Sequence, residues 1–87
     1  MNPLAENPVY VDTVDELLDY YLSLPRKQRE EQFICTSTAA EMTGLGQRTI
    51  QLWIEVGKIR TLRFGNRHKI LRESLIEYLK LKAHDSA

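Results

Sequence analysis

Between Val14 and Leu22 the apolar residues fall at Val14, Leu17, Leu18, Tyr21 and Leu22, which is the stripe of an amphipathic helix. Thr13-Val14-Asp15-Glu16 stands at its start as a capping box, the Thr hydroxyl and the Glu carboxylate each satisfying a free backbone amide. Asp15, Glu16 and Asp19 take the opposite face, near the positive end of the helix dipole. Pro25 ends or restarts the helix. Arg26 to Gln32 is polar and reads as a helical turn or a linker. Ahead of all this, residues 1–11 carry Pro3 and Pro8 without periodicity and read as a loose tail.

The pattern then shortens. Phe33-Ile34-Cys35 is a brief apolar run, either a small strand or a core plug, with Cys35 expected buried and inert. Thr36-Ser37-Thr38 reads as a second capping region, opening a short helix through Ala39, Ala40 and Met42 that Gly44 stops. Leu45-Gly46 turns the chain, with Gly46 at the next helix cap. A second helix runs from about Gln47 to Val56 on an apolar face of Ile50, Trp53 and Ile54, and Gly57 stops it. Two short helices joined by a tight glycine-containing turn are a helix-turn-helix signature. Beyond Gly57, Thr61 to Phe64 and Arg67 to Ile70 flank Gly65-Asn66, a β-hairpin on a two-residue type II′ turn. Arg72 to Lys82 forms the last helix, with Leu75, Ile76 and Leu79 inward and Lys80 and Lys82 near its negative end. Residues 84–87 read as a tail.

Length and composition narrow the function classes. With 87 residues, 43% hydrophobic and 28% charged, the chain is one small globular domain with a modest core, too small for a deep substrate cleft. No apolar run approaches the ~20 residues that span a bilayer. The first residues lack the basic start and apolar stretch of a signal peptide, so a cytoplasmic protein associated with the nucleoid is expected. Cys35 is the one cysteine, which excludes an internal disulfide. It has no CxxC partner, and His68 and His84 show no ligand spacing, so no metal site and no cofactor are expected. Ser37, Ser74 and Ser86 sit in no nucleophile motif, and no enzyme is expected.

The formal net charge of zero conceals two unlike halves. Residues 1–31 hold three bases against seven acids, a net of −4. From Gly46 to Arg72 seven bases, Arg48, Lys58, Arg60, Arg63, Arg67, Lys69 and Arg72, face Glu55 alone, a net of +6. A concentrated basic stretch is either a solvated surface or the electrostatic footprint of nucleic-acid binding.

The order of these pieces resembles a known family. The string from Cys35 to Ile50, with its paired Ala39-Ala40, its Gly44-Leu45-Gly46 turn and its Arg48-Thr49-Ile50 triplet, is similar to the first two helices of excisionase-type and MerR-type DNA-binding domains. Gly57-Lys58-Ile59 resembles their helix–wing junction, Arg63 to Ile70 their wing, and Arg72 to Leu79 their closing helix. The resemblance runs from Ile34 to Leu79 without a gap. It implies a mainly α fold with a small β-hairpin wing, a winged helix-turn-helix over residues 33–83. Residues 1–32 then form a tail and an extra N-terminal amphipathic helix. It also implies a transcription regulator or a recombination accessory factor that bends DNA. The long dimerisation helix and effector domain of MerR regulators are not expected here. Arg60 and Leu71 stand where relatives often carry Pro, which implies looser wing hinges.

In that arrangement the second helix enters the major groove of double-stranded DNA by its N-terminus, bringing Gln47, Arg48, Thr49 and Gln51. Arg pairs with guanine and Gln with adenine, while Thr49 either bonds a phosphate or caps the helix. Arg63, Arg67 and Lys69 of the wing neutralise phosphates, with Asn66 at its tip. Leu52 either touches a thymine methyl or meets a protein, and Glu55 either accepts from cytosine or stays out of the groove. Trp53 reads as core rather than a base-stacking platform. His68 is either a phosphate contact or a packed hairpin residue. The apolar face of the N-terminal helix either packs on the helix-turn-helix core or forms a homodimer or partner interface anchored by Leu17, Tyr21 and Leu22. Its acids alternatively shield the wing. Partners in reach are DNA, a second copy, and a recombinase or transcription protein; no membrane and no small-molecule substrate are expected. The competing function is a protein–protein interaction module on the same fold that has lost DNA binding, which Leu52, Glu55 and the neutral total charge favour.

Overall fold

The computed structural model describes residues 13–86, so the tail expected over residues 1–11 and the final Ala87 lie outside the described residues. The first helix, α1 (Val14–Ser23), is capped by Thr13, whose Oγ1 accepts from the Glu16 amide at 3.0 Å. The Glu16 carboxylate accepts a hydrogen bond from the Thr13 hydroxyl at 3.0 Å instead of reaching back to the backbone, so only half of the expected capping box forms. Leu24 is extended, as a residue before proline prefers to be. Pro25 then restarts the chain as a true helix, α2 (Arg26–Gln32), its carbonyl accepting from the Arg29 amide at 2.8 Å.

No basic residue lies in the last turn of α1, and α2 supplies one from outside. Arg29 donates from Nε to the Tyr21 carbonyl at 3.2 Å and from a terminal nitrogen to the Leu24 carbonyl at 3.1 Å. Its guanidinium also lies 5.0 Å from the Tyr21 ring centroid. Orphan carbonyls and the negative helix end are thus met by one cation. The Arg26–Glu30 pair on the exposed side of α2 contributes little.

Phe33 and Ile34 are both strand and core. They form β1 (Phe33–Ile34), which joins β2 (Thr61–Phe64) and β3 (Arg67–Leu71) in an antiparallel sheet of order β1-β3-β2. Phe33 pairs with Leu71 and Ile34 with Ile70, while Thr61 pairs with Ile70 and Phe64 with Arg67. Side chains alternate across a strand, so this register sorts the sheet into two apolar faces. Ile34 and Ile70 point to a cluster with Ala39, Ile50, Ile59 and Leu75, the helix-turn-helix core. Phe33, Leu62 and Leu71 point the other way and are covered by Leu17 of α1.

The two helices of the motif are α3 (Thr36–Thr43) and α4 (Gln47–Glu55). Between them Gly44 takes φ 74° and ψ 10°, a left-handed conformation that residues with a Cβ adopt at a cost. The cap of α3 is Cys35, and Thr36-Ser37-Thr38 lie inside its first turn rather than capping it as expected. At the hairpin, Gly65 has φ 63° and Asn66 is not left-handed, the combination of the type II′ turn.

The closing helix, α5 (Arg72–Ser86), overruns its expected end. Residues 84–86 are helical rather than a tail, because Leu81-Lys82-Ala83 contains no breaker. His84, not Lys80 or Lys82, is therefore the base in the last turn. The hinges between α4, wing and α5 are tied. The Arg60 amide donates to Ser74 Oγ at 2.7 Å, and the Leu71 amide donates to the Arg60 carbonyl at 2.9 Å. A proline at position 60 would forfeit the first bond, so Arg60 fastens the wing rather than loosening it. Ser74 is 9% exposed. Ser74→Ala is expected to cost about 1–3 kcal/mol by stranding the Arg60 amide. Urea denaturation checks this, with an unchanged midpoint counting against the tie.

Two positions of the α1 stripe depart from expectation. Leu17 is 3% exposed, whereas Val14 is 69% and Leu22 60% exposed. The apolar surface of α1 is wider than the sheet face that covers it, so its outer edge stays in solvent.

Candidate nucleic-acid interface

The surface that combines the motif with the wing is a groove between α4 and β3. Gln47 and Gln51 line one wall, Asn66, Arg67 and Lys69 the other, and Cys35, Thr36, Ser37 and His68 close the space between. Its openness to the wing has a topological cause. β1 pairs with Ile70 and Leu71, so among the described residues the Arg67–Lys69 stretch of β3 has no strand on that side. The chain that would cover it leaves the sheet at Cys35 to become α3.

Around α4 the side chains turn by about 100° per residue. Ile50, fully buried, marks the inward side. Gln47 and Gln51 lie on the flank next to the wing, Arg48, Leu52 and Glu55 point outward, and Val56 lies on the far flank; all six are exposed. The exposed polar side chains near the start of α4 therefore form a face rather than a scatter. Thr49 is half-buried and follows Gly46, the actual cap, whose carbonyl accepts from the Thr49 amide at 3.1 Å. The capping alternative for Thr49 falls away, since a residue three places inside the helix does not occupy the cap.

On the wing, Asn66, Arg67 and Lys69 reach the groove, whereas Arg63 does not line it. Arg63 pairs with His68 across the hairpin, and its Nε donates to the Gly65 carbonyl at 3.0 Å. It is exposed on the outer strand, as a lateral charge. Trp53 packs edge-on against Tyr78 of α5, ring centroids 4.8 Å apart, and serves the core.

The groove also contains residues that the hydrophobic pattern did not single out. Cys35, expected buried and inert, is exposed. Its Sγ lies 3.2 Å from Ser37 Oγ and 3.1 Å from Thr38 Oγ1. Hydrogen bonds from these hydroxyls, joined by the Thr38 and Ser37 amides, pull the thiol from 9.0 down to about 7. The signal was present in Cys35-Thr36-Ser37-Thr38, four small polar or polarisable residues opening a helix. His68 is half-buried, with Nδ1 out of contact with solvent and without a hydrogen-bond partner. His68 thus takes the packed alternative, at the border of the groove.

The N-terminal helix stands behind this interface. Leu17 is taken up between Phe33, Leu62 and Leu71, and Tyr21 lies edge-on to Phe33 at 4.9 Å and 5.6 Å from Phe64. Leu17 is thus enclosed by the back of the sheet and Tyr21 half-buried there, while Leu22 and Leu52 remain exposed. Asp15 and Asp19 project from the side of α1 opposite Leu17. They face away from the sheet rather than shielding the wing.

Among the described residues no helix is long and apolar enough to cross a membrane. In comparisons with curated proteins and with solved structures nothing matches. A family model described as a helix-turn-helix domain matches residues 36–80, just over half of the chain, from the start of α3 into α5. The matched span contains both helices, the turn and the whole wing hairpin, in the order and geometry described above. The chain therefore belongs to the helix-turn-helix domain family, as a winged DNA-binding member whose sheet is backed by an additional N-terminal helix pair.

Proposed function

We propose that this protein binds double-stranded DNA sequence-specifically, with α4 in the major groove and the β2–β3 hairpin on the backbone or in the minor groove. The observation that carries this reading is the groove itself. It sets Gln47 and Gln51 opposite Asn66, Arg67 and Lys69, with Arg48 beside them on the same outward side of α4. Amides that match adenine and a guanidinium that matches guanine thus stand next to charges that match phosphate. Thr49 on the flank of α4 and Arg63 on the outer strand add backbone contacts. The biological role that fits is a small transcription regulator or an excisionase-like recombination accessory factor, acting on the nucleoid in the cytoplasm. A second copy at an adjacent site, or a recombinase or transcription partner, would add to the affinity.

An amide NMR titration with a generic duplex at low salt tests the docking face. Shifts are expected at residues 47–52 and 63–69, with non-specific affinity of ~10⁻⁴–10⁻⁶ M near physiological salt. On a selected site, Arg48→Ala is expected to cost about 1–3 kcal/mol and to relax preference at one base pair. Equal weakening on every sequence would instead make Arg48 a phosphate contact. A folded protein without shifts would favour the protein-interaction reading, for which exposed Leu52 and Val56 are the supporting observation.

A further inference from the structure

The outward side of α4 carries an apolar feature that phosphate and hydrogen-bond chemistry leave unused. Leu52 is 53% exposed, one turn beyond Arg48 on the outward side of α4 and turned about 40° from it, away from the wing. The residues around it toward the wing, Arg48, Gln51 and Glu55, are exposed and polar. Val56, also exposed, is the C-cap, at the end of the helix that lies farthest from the entering N-terminus. Within the reading half of α4 the apolar spot is thus one side chain wide.

We propose that Leu52 is a specificity-determining residue that takes the 5-methyl group of a thymine in the major groove. The inference rests on the DNA-binding reading above. The thymine methyl is the apolar group that base pairs present in the major groove, and one aliphatic side chain among hydrogen-bonding ones matches it in kind and size. A protein partner does not match: a stable interface buries about 800 Å² on each side, far more than one leucine and a helix-end valine expose. Nor does the helix need Leu52 for its fold, since Ile50, Trp53 and Ile54 already make the inward contacts.

The position of the thymine follows from helix geometry. Four residues advance α4 by about 6 Å, against about 3.4 Å for a base-pair step. With α4 lying along the groove, the thymine read by Leu52 falls about two base pairs from the guanine read by Arg48. Because Leu52 is turned from Arg48 away from the wing, it falls on the side away from the pairs contacted by Gln47 and Gln51.

The test is selection of binding sites from a random duplex pool by the full chain and by its Leu52→Ala and Leu52→Gln variants. Their thermal unfolding should match the parent, because the position is exposed. The parent is expected to select a thymine at that spacing. Leu52→Ala should keep the rest of the site and lose preference at that one position, and Leu52→Gln should shift it toward adenine. In the selected duplex, deoxyuridine in place of that thymine should weaken the parent about fourfold, the worth of one buried methyl, and leave Leu52→Ala unchanged. The same site and affinity for parent and Leu52→Ala would overturn the thymine assignment while leaving DNA binding intact. Enrichment of no sequence by the parent would overturn sequence-specific binding itself, and the assignment with it.

Discussion

Leu17→Ala is expected to destabilise the protein by about 2–5 kcal/mol, the range for removing a buried leucine side chain. That is a large share of the about 5–15 kcal/mol that holds a domain of this class together. Leu17 is 3% exposed and is the fully enclosed residue that α1 contributes to the cluster of Phe33, Leu62 and Leu71. Little can relax into the space it leaves, because Leu62 and Leu71 are pinned by the sheet register. Removing residues 1–24 altogether should go further. It uncovers the back of the sheet, takes Tyr21 and its edge-on contact with Phe33 away, and leaves Arg29 without the carbonyls it caps. Loss of a cooperative urea transition, with DNA binding lost alongside, is the expected result. A truncated chain that still unfolds cooperatively and binds duplex more tightly would reinstate α1 as an acidic shield.

Replacing Arg63, Arg67 and Lys69 together by alanine should weaken binding to any duplex on the order of 100-fold, at about 1 kcal/mol for each hydrogen bond to phosphate that is removed. The clearer readout is the dependence on salt. Each neutralised phosphate contributes about 0.9 to the slope of log affinity against log salt, so the triple variant should be flatter by up to ~2.7. The contributions should be unequal. Arg67 and Lys69 border the groove beside Gln47 and Gln51, whereas Arg63 is on the outer strand with its Nε committed to the Gly65 carbonyl. Arg63→Ala alone should therefore change the slope least. An unchanged slope in the triple variant would remove the wing from the interface. None of the three side chains is fully buried, so the fold should survive the change.

These two expectations meet on one face of the sheet: Leu62 pairs with Lys69 and Phe64 with Arg67, so Arg67 and Lys69 stand on the α1 side and Arg63 on the other. Phe33 and Ile34 are adjacent in sequence, yet one closes the cluster under α1 and the other the helix-turn-helix core. The family match begins at residue 36, so β1 and the helices before it lie outside the matched span while supplying part of both clusters. A three-stranded sheet open on its back would present Phe33, Leu62 and Leu71 to water; α1 prevents that. The N-terminal helix thus holds the platform from which the wing projects.

The local elements were legible in the sequence because each is decided by neighbours a few residues apart. The turn at Gly44 and the hairpin at Gly65-Asn66 follow from backbone sterics, and the inward stripe of Ile50, Trp53 and Ile54 follows from helical period. The clustering of bases between Gly46 and Arg72 is likewise a property of the linear chain, and with the hairpin pattern it is enough to place Arg67 and Lys69 on the wing. What only the tertiary structure decided is which surfaces meet. Periodicity says that α1 has an apolar face but not that the back of the sheet covers it, nor that the cover stops short of Val14 and Leu22. The exposure of Cys35 and its neighbouring hydroxyls came from the same source, because a residue's burial depends on where the chain goes next. At Cys35 the chain leaves the sheet for α3, which opens the edge of β3 and makes the groove. Such contacts join residues dozens of positions apart, such as Phe33 with Leu71. Their pairing is settled by the competition of all apolar faces for cover, which no local window of sequence contains.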